Sequence, residues 1–123
     1  MSTVNEIVAG YIAAWNETDA GRRRDVIART WSDDGCYLDA HRDSTGHAAI
    51  DAMIAAVQER LPGYRFRLSS GIEAHHGRIR FSWNAGGTDQ APLFFGGTDF
   101  AVLADDGRLR AVTGFTDAMP SVA

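Results

Sequence analysis

The sequence predicts an α+β domain in which three N-terminal helices are wrapped by a curved antiparallel sheet. Three observations lead there. Up to about Leu61, apolar residues recur chiefly at three- and four-residue spacing, as on helices with one face against a core. Beyond Gly63 the spacing changes to alternation, the period of strands. Near the C-terminus Asp106-Gly107 separates two apolar runs and supplies the positive φ values of a tight two-residue hairpin turn. Helices gathered on one side of an antiparallel sheet define the α+β class.

The elements follow in order. Val4, Ile7, Val8, Tyr11, Ile12 and Trp15 form the apolar stripe of a first helix, with Thr3 and Glu6 spaced as a capping box. A break at Thr18 to Gly21 precedes a shorter helix ending near Trp31, with Val26, Ile27 and Trp31 inward and Arg22 to Arg24 in solvent. Ser32 to Gly35 reads as a turn. Cys36 to Ala40 is a short strand with Tyr37 and Asp39 on one face and Cys36 and Leu38 on the other. After a polar loop, His41 to Gly46, a third helix carries Ile50, Met53, Ile54, Val57 and Leu61 until Pro62-Gly63 stops it. Tyr64 to Leu68 alternates, Gly71 suggests a bulge, and His75 to Gly77 turns the chain into alternating Ile79, Phe81 and Trp83. Gly86 to Asp89 leads to the hairpin that starts at Leu93. Counting from Asp106-Gly107 pairs Ala104 with Leu109 and Asp99 with Gly114. Phe100, Val102, Leu109, Ala111 and Phe115 then share one face, and Asp99, Ala101 and Val112 the other.

At 123 residues, 45% hydrophobic and 23% charged, the chain is one globular domain, residues 1–123. No apolar run is long enough to span a membrane and no signal peptide is seen, so the expected compartment is the cytoplasm. The single cysteine, Cys36, excludes an internal disulfide and a cysteine-rich zinc site. A net charge of −4 argues against nucleic acid. All 12 basic side chains are arginine, which excludes Schiff-base chemistry on lysine. No metal, nucleotide or flavin motif is present, so no cofactor is expected.

Asp99 stands in the middle of an otherwise apolar arm. Such a carboxylate is paired, protonated or faces a cavity. The runs Tyr11 to Asn16, Trp31 to Gly35 ahead of Asp39, Gly46 to Ile50, Gly97 to Phe100 and Asp106 to Leu109 together resemble the nuclear transport factor 2-like (NTF2-like) superfamily, in its ketosteroid isomerase and SnoaL-like polyketide cyclase branch. The resemblance covers essentially the whole chain and implies the cystatin-like cone with an internal cavity. Its isomerase members carry a tyrosine at the place of Tyr11, a catalytic aspartate base at Asp39, and a protonated aspartate at Asp99, eight residues before the hairpin glycine as here with Gly107. Ala40 stands where those enzymes commonly have proline, and the loop from His41 to Thr45 differs from theirs.

Each candidate carries a plainer reading beside the functional one. Tyr11 is a packing residue or an oxyanion donor. Asp99 is paired with a backbone group or an arginine, or it is held neutral. Asp39 is a strand end, or it points into the cavity with Tyr37. Trp15, Trp31, Met53, Phe81 and Trp83 are expected to line the cavity and bind substrate, as side chains that also belong to the core. His75 and His76, as adjacent strand residues, point to opposite faces and cannot easily share an ion. His47 caps the third helix or borders the cavity mouth. Arg65, Arg67, Arg78 and Arg80 form a solvated or dimer-edge face.

The function expected is acid–base proton transfer next to a carbonyl, as in an isomerase or cyclase, on a small apolar ligand bearing one carbonyl. The alternatives are a non-catalytic ligand-binding protein and an epoxide hydrolase, which needs an arginine between two carboxylates. Arg110 is the only hairpin arginine on Asp99's expected face. The apolar outer face of the hairpin predicts a homodimer.

Overall fold

The computed structural model describes residues 3–86 and 95–117. Gly87 to Asp89, expected to lead to the hairpin, and the start of the hairpin arm at Leu93 and Phe94 lie outside them. Helix α1 (Val4–Asn16) begins with the expected capping box: the Thr3 hydroxyl accepts from the Glu6 amide and the Glu6 carboxylate accepts from the Thr3 amide. Helix α2 (Ala20–Thr30) is capped by Asp19. Strand β1 (Trp31–Leu38) and the short β2 (Asp43–Thr45) lead into α3 (His47–Arg60). Strands β3 (Phe66–Leu68), β4 (Glu73–His75), β5 (Arg78–Ala85), β6 (Phe95–Leu103) and β7 (Leu109–Thr116) complete the chain.

The sheet runs β2-β1-β7-β6-β5-β3, with β4 continuing alongside β5, and its two ends do not close. One expectation changes. The pairing of β1 with β7 is parallel, so the sheet is mixed rather than wholly antiparallel. Strand β1 also begins earlier than its alternation suggests. Trp31 faces Leu109 and Cys36 faces Ala111, so the turn residues Ser32 to Gly35 bulge inside the strand instead of preceding it. Across from β5, Phe66 pairs with Ala85 and Leu68 with Trp83, but Glu73 rather than Gly71 faces Arg80. Two extra residues therefore break this edge near Gly71, where a bulge was expected.

The hairpin reaches the predicted register by a different route. Ala104 and Arg108 close a three-residue loop, with the Gly107 amide bonded to Ala104 and Gly107 at φ 87. This loop pairs Leu103 with Leu109, one step from the expected Ala104–Leu109 pair. A bulge at Arg110 restores the step, so Asp99 does face Gly114 and Ala101 faces Val112. The correction is at Leu109, which the shorter register turns inward to 1% exposure. Phe100 and Phe115 remain on the outer face as expected.

A polar knot holds the helices together. Arg23, expected in solvent, is buried because it shares a helical face with Ile27 and Thr30. Its guanidinium donates to Asp51 at 2.6 Å, to Gln58 and to the Glu17 carbonyl. Gln58 in turn donates to the Trp15 and Glu17 carbonyls, satisfying the open end of α1. The Asn16 side chain bonds both the amide and the carbonyl of Phe66, fixing β3 to the end of α1. These contacts fix where Trp15 and Phe66 stand.

Candidate functional site

Where the C-terminal ends of α1 and α3 face the sheet, a cavity opens that encloses about 490 Å³ of empty space, including solvent at its mouth. Its sheltered part is small, with room for only a few water molecules. Its wall is largely apolar and aromatic: Ile12 and Trp15 from α1, Val57 and Leu61 at the end of α3, and Phe66, Trp83 and Phe95 from the sheet. The polar groups in this wall are Tyr11, Tyr37, Asp39, Arg42, Asp99 and Thr116.

Asp99 sits at the back. Its residue is 1% exposed, on the inner face of β6. Tyr11 donates to Oδ2 at 2.5 Å and the Trp83 indole donates to Oδ1 at 3.0 Å. Burial pushes the carboxyl above its usual range, and the nearby Asp39 charge adds to this, while the two donors oppose it without winning. Burial, together with the Asp99 charge, also holds the Tyr11 hydroxyl far above its usual range.

Asp39 stands just past the end of β1, at the edge of the same cavity. The tight turn from Asp39 to Arg42 is closed by the Asp39 amide on the Arg42 carbonyl, and the His41 amide donates back to Asp39 Oδ1 at 2.8 Å. Oδ2 accepts from the Tyr37 hydroxyl at 2.8 Å and from Arg42 Nη1 at 3.1 Å. Burial alone would raise this carboxyl, but the His41 amide, the Tyr37 hydroxyl and Arg42 together bring it below the usual range. Tyr37 is raised, first by burial and then by the Asp99 charge.

The structure thus brings Tyr11, Asp39 and Asp99 to one cavity, with Trp15 and Trp83 in its wall. Three other expected ligand contacts lie elsewhere. Trp31 and Phe81 pack behind Tyr11, at ring-centroid distances of 5.3 and 5.4 Å, where the tyrosine screens them. Met53 is buried one turn too early on α3, and Val57 and Leu61 take the place expected of it. His47 is not in the wall; its Nε2 meets the Trp31 carbonyl. Arg110 is exposed at the bulge and is absent from the wall, so it is not the arginine that the epoxide hydrolase reading needs between the carboxylates. His75 and His76 do meet, with Nδ1 atoms 3.1 Å apart, because His76 takes the left-handed conformation of a turn (φ 51) rather than that of a strand. No group of three metal-ligating side chains occurs among the described residues.

Sequence reasoning missed Arg42 and undervalued Tyr37. For Arg42 the available signal was its spacing: three residues after a candidate aspartate, within a polar turn.

No family model matches the chain, and no curated protein does. Solved structures do. The chain is 37% identical to a candidate isomerase of the SnoaL-like family from Agrobacterium tumefaciens, over 92% of this chain and 96% of that one, with a TM-score of 0.85. The chain belongs to the SnoaL-like family. An NTF2-like protein of unknown function from Exiguobacterium has 18% identity and a TM-score of 0.73, over 92% of this chain and 99% of its own. A candidate SnoaL-like polyketide cyclase from Jannaschia has 16% identity and a TM-score of 0.71, covering 95% and 90%. These two share the fold alone. The α+β, NTF2-like architecture is therefore that of the SnoaL-like family, and the activity of this member rests on its own cavity.

Proposed function

We propose that the cavity catalyses proton transfer next to the carbonyl of a small, largely apolar substrate. Asp39 takes the proton, and Tyr11 with a neutral Asp99 donates to the oxygen that gains charge. One observation carries this reading: two carboxylates border one apolar cavity, and their surroundings move them in opposite directions, Asp39 down and Asp99 up. A separation of this sign points to the lowered group as the base and the raised group as the acid.

The hydrogen bonds give the acid a definite form. The Trp83 N–H occupies Oδ1, so a neutral Asp99 carries its proton on Oδ2, next to the Tyr11 hydroxyl. Two hydroxyl hydrogens then meet there, one bridging the pair and the other free for a ligand oxygen. In the reaction a C–H bond next to the carbonyl breaks and its proton goes to Asp39. The electron pair moves onto the carbonyl oxygen, and the free hydroxyl hydrogen of the Tyr11–Asp99 pair holds it as an enolate while the bridging one supports that donor. Asp39 returns the proton to another carbon in an isomerase; in a cyclase the enolate carbon attacks a second carbonyl, whose π electrons move to its oxygen, and that oxygen takes the proton back from Asp39. The step uses only side chains of this chain.

The test needs no knowledge of the natural substrate. Cyclic ketones and enones are incubated with the protein in D2O, and deuterium entry next to the carbonyl is followed by NMR. Exchange by the parent, lost in Asp39→Asn and reduced about 10²- to 10³-fold in Tyr11→Phe, supports the proposal. Exchange no faster with the parent than with Asp39→Asn overturns it.

A second reading, ligand binding without chemistry, draws on the three donors that surround Asp39 and weaken it as a base. Thermal stabilisation by the same ketones without deuterium entry favours that reading.

A further inference from the structure

Arg42 is the only cation in the cavity wall among the described residues. It stands where the inner cavity meets a groove on the outside, and Asp39, Arg42 and Thr116 border both. The backbone of Arg42 is held by the turn that orients Asp39, but its side chain is 34% exposed. Among the described residues it is tied by Nη1 to Asp39 alone. A guanidinium has five N–H donors in a planar fork suited to two oxygens of a carboxylate. Among the described residues most of that capacity is unspent, at a point where the cavity that holds Trp15 and Trp83 adjoins the outer groove.

We infer that the ligand is a carbonyl compound carrying a carboxylate, which Arg42 binds at the cavity mouth while the carbonyl lies inside. This rests on the proposed function for the carbonyl end, and on Arg42 alone for the carboxylate end. The same contact has a consequence for Asp39. Arg42 is one of its three donors, so a ligand carboxylate that draws the guanidinium away leaves Asp39 with the His41 amide and the Tyr37 hydroxyl. A base that has lost a cationic partner is stronger. The ligand's own charge thus recruits the arginine and frees the base. A neutral ketone leaves the Arg42–Asp39 pair closed.

The probe pair is 3-oxocyclohexanecarboxylate and its uncharged methyl ester, titrated at neutral pH against the full chain by tryptophan fluorescence and by calorimetry. The expected result is a preference for the acid of about tenfold, or about 1.4 kcal/mol, a size set by a charge-assisted contact that remains partly open to water. In Arg42→Gln the preference disappears, and ester binding in the same titration reports that the cavity is intact. If Arg42→Gln binds neither compound, Arg42→Lys takes its place and is expected to keep a reduced preference, because the charge stays while the fork is lost. Equal binding of acid and ester by the parent, no binding of either, or an undiminished preference in both variants overturns the inference. Deuterium exchange next to the carbonyl of both probes, acid and ester, is a separate readout. Exchange without acid preference removes the carboxylate and leaves the proton-transfer proposal, and acid preference without exchange does the opposite.

Discussion

Asp99 on β6 faces Gly114 on β7, and the absent side chain at Gly114 leaves a space that the carboxyl shares with Tyr37. A Cβ at Gly114 would lie 2.9 Å from Asp99 Oδ1 and 3.1 Å from the Tyr37 hydroxyl. Tyr37 in turn donates to Asp39. The two carboxylates are thus joined through one hydroxyl and one gap, above the inner face of β7.

Gly114→Ala tests whether that gap matters. Gly114 is not among the residues with positive φ, so alanine suits its backbone and any effect comes from space. Pushing the Asp99 carboxyl aside costs about 1–3 kcal/mol, as overfilled cores generally do. The expected outcome is a melting temperature lower by several degrees and deuterium exchange reduced together with it. A variant with the parent's melt and the parent's exchange rate means that the space is not used.

The outer face supports a different expectation. Leu38, Thr113, Phe100, Arg80 and Glu73 align across β1, β7, β6, β5 and β4, and Arg80 is ion-paired with Glu73. Phe100 is 43% exposed and Phe115, on the same side of β7, is 67% exposed. We propose that a second copy covers this row about a two-fold axis, since an apolar centre with a charged pair at one end can match its own copy. Light scattering at micromolar concentration should give twice the chain mass, and Phe100→Asp with Phe115→Asp should halve it. A parent that weighs as one chain refutes the dimer.

Why some of this was legible in the sequence and some was not follows from the residues. Asp99 stood out because a charged residue in an apolar arm has few ways to be satisfied, and Asp39 because it follows Tyr37 at strand spacing. Fold class followed from the change of period near Gly63. Leu109 was misplaced because a three-residue loop and a bulge at Arg110 cancel, leaving the far register right and the near one wrong. Trp31, Phe81 and Met53 were misassigned because side-chain type separates core from surface, whereas a cavity wall and the layer behind it have the same composition. Arg42 was missed because its role depends on a turn whose shape comes from Asp39's own hydrogen bonds.

Asp39→Asn should reduce stability as well as exchange. An amide has one acceptor oxygen for the His41 amide, the Tyr37 hydroxyl and Arg42, and its NH2 opposes a donor. Leaving one such group unpaired costs about 1–3 kcal/mol. The folded carboxyl lies below its unfolded value of about 3.9. Its contribution is therefore present above that unfolded value and lost as pH falls through the folded one. Thermal melts should show the parent above the variant at neutral pH, converging with it only in acid. Equal melts at neutral pH speak against this network.

Asp99→Asn should behave in the opposite way. Here the folded carboxyl lies above the unfolded value of about 3.9. The stabilising contribution is complete below the unfolded value and is lost as pH rises through the folded one, since the unfolded chain releases the proton more easily. Asparagine keeps the shape and the bonds: its oxygen accepts from Trp83, and its NH2 donates to the Tyr11 hydroxyl, which can turn to accept. The charge that burial penalises is gone. Asp99→Asn is thus expected to match or exceed the parent's melting temperature at pH 7 to 9, with a flatter dependence on pH, while deuterium exchange falls because an amide is a weaker acid than a neutral carboxyl. Melts of both asparagine variants across pH 5 to 9 separate the two readings of Asp99. If Asp99→Asn melts well below the parent at neutral pH, the group is an ionised structural carboxylate, and the oxyanion role assigned to it with Tyr11 is lost.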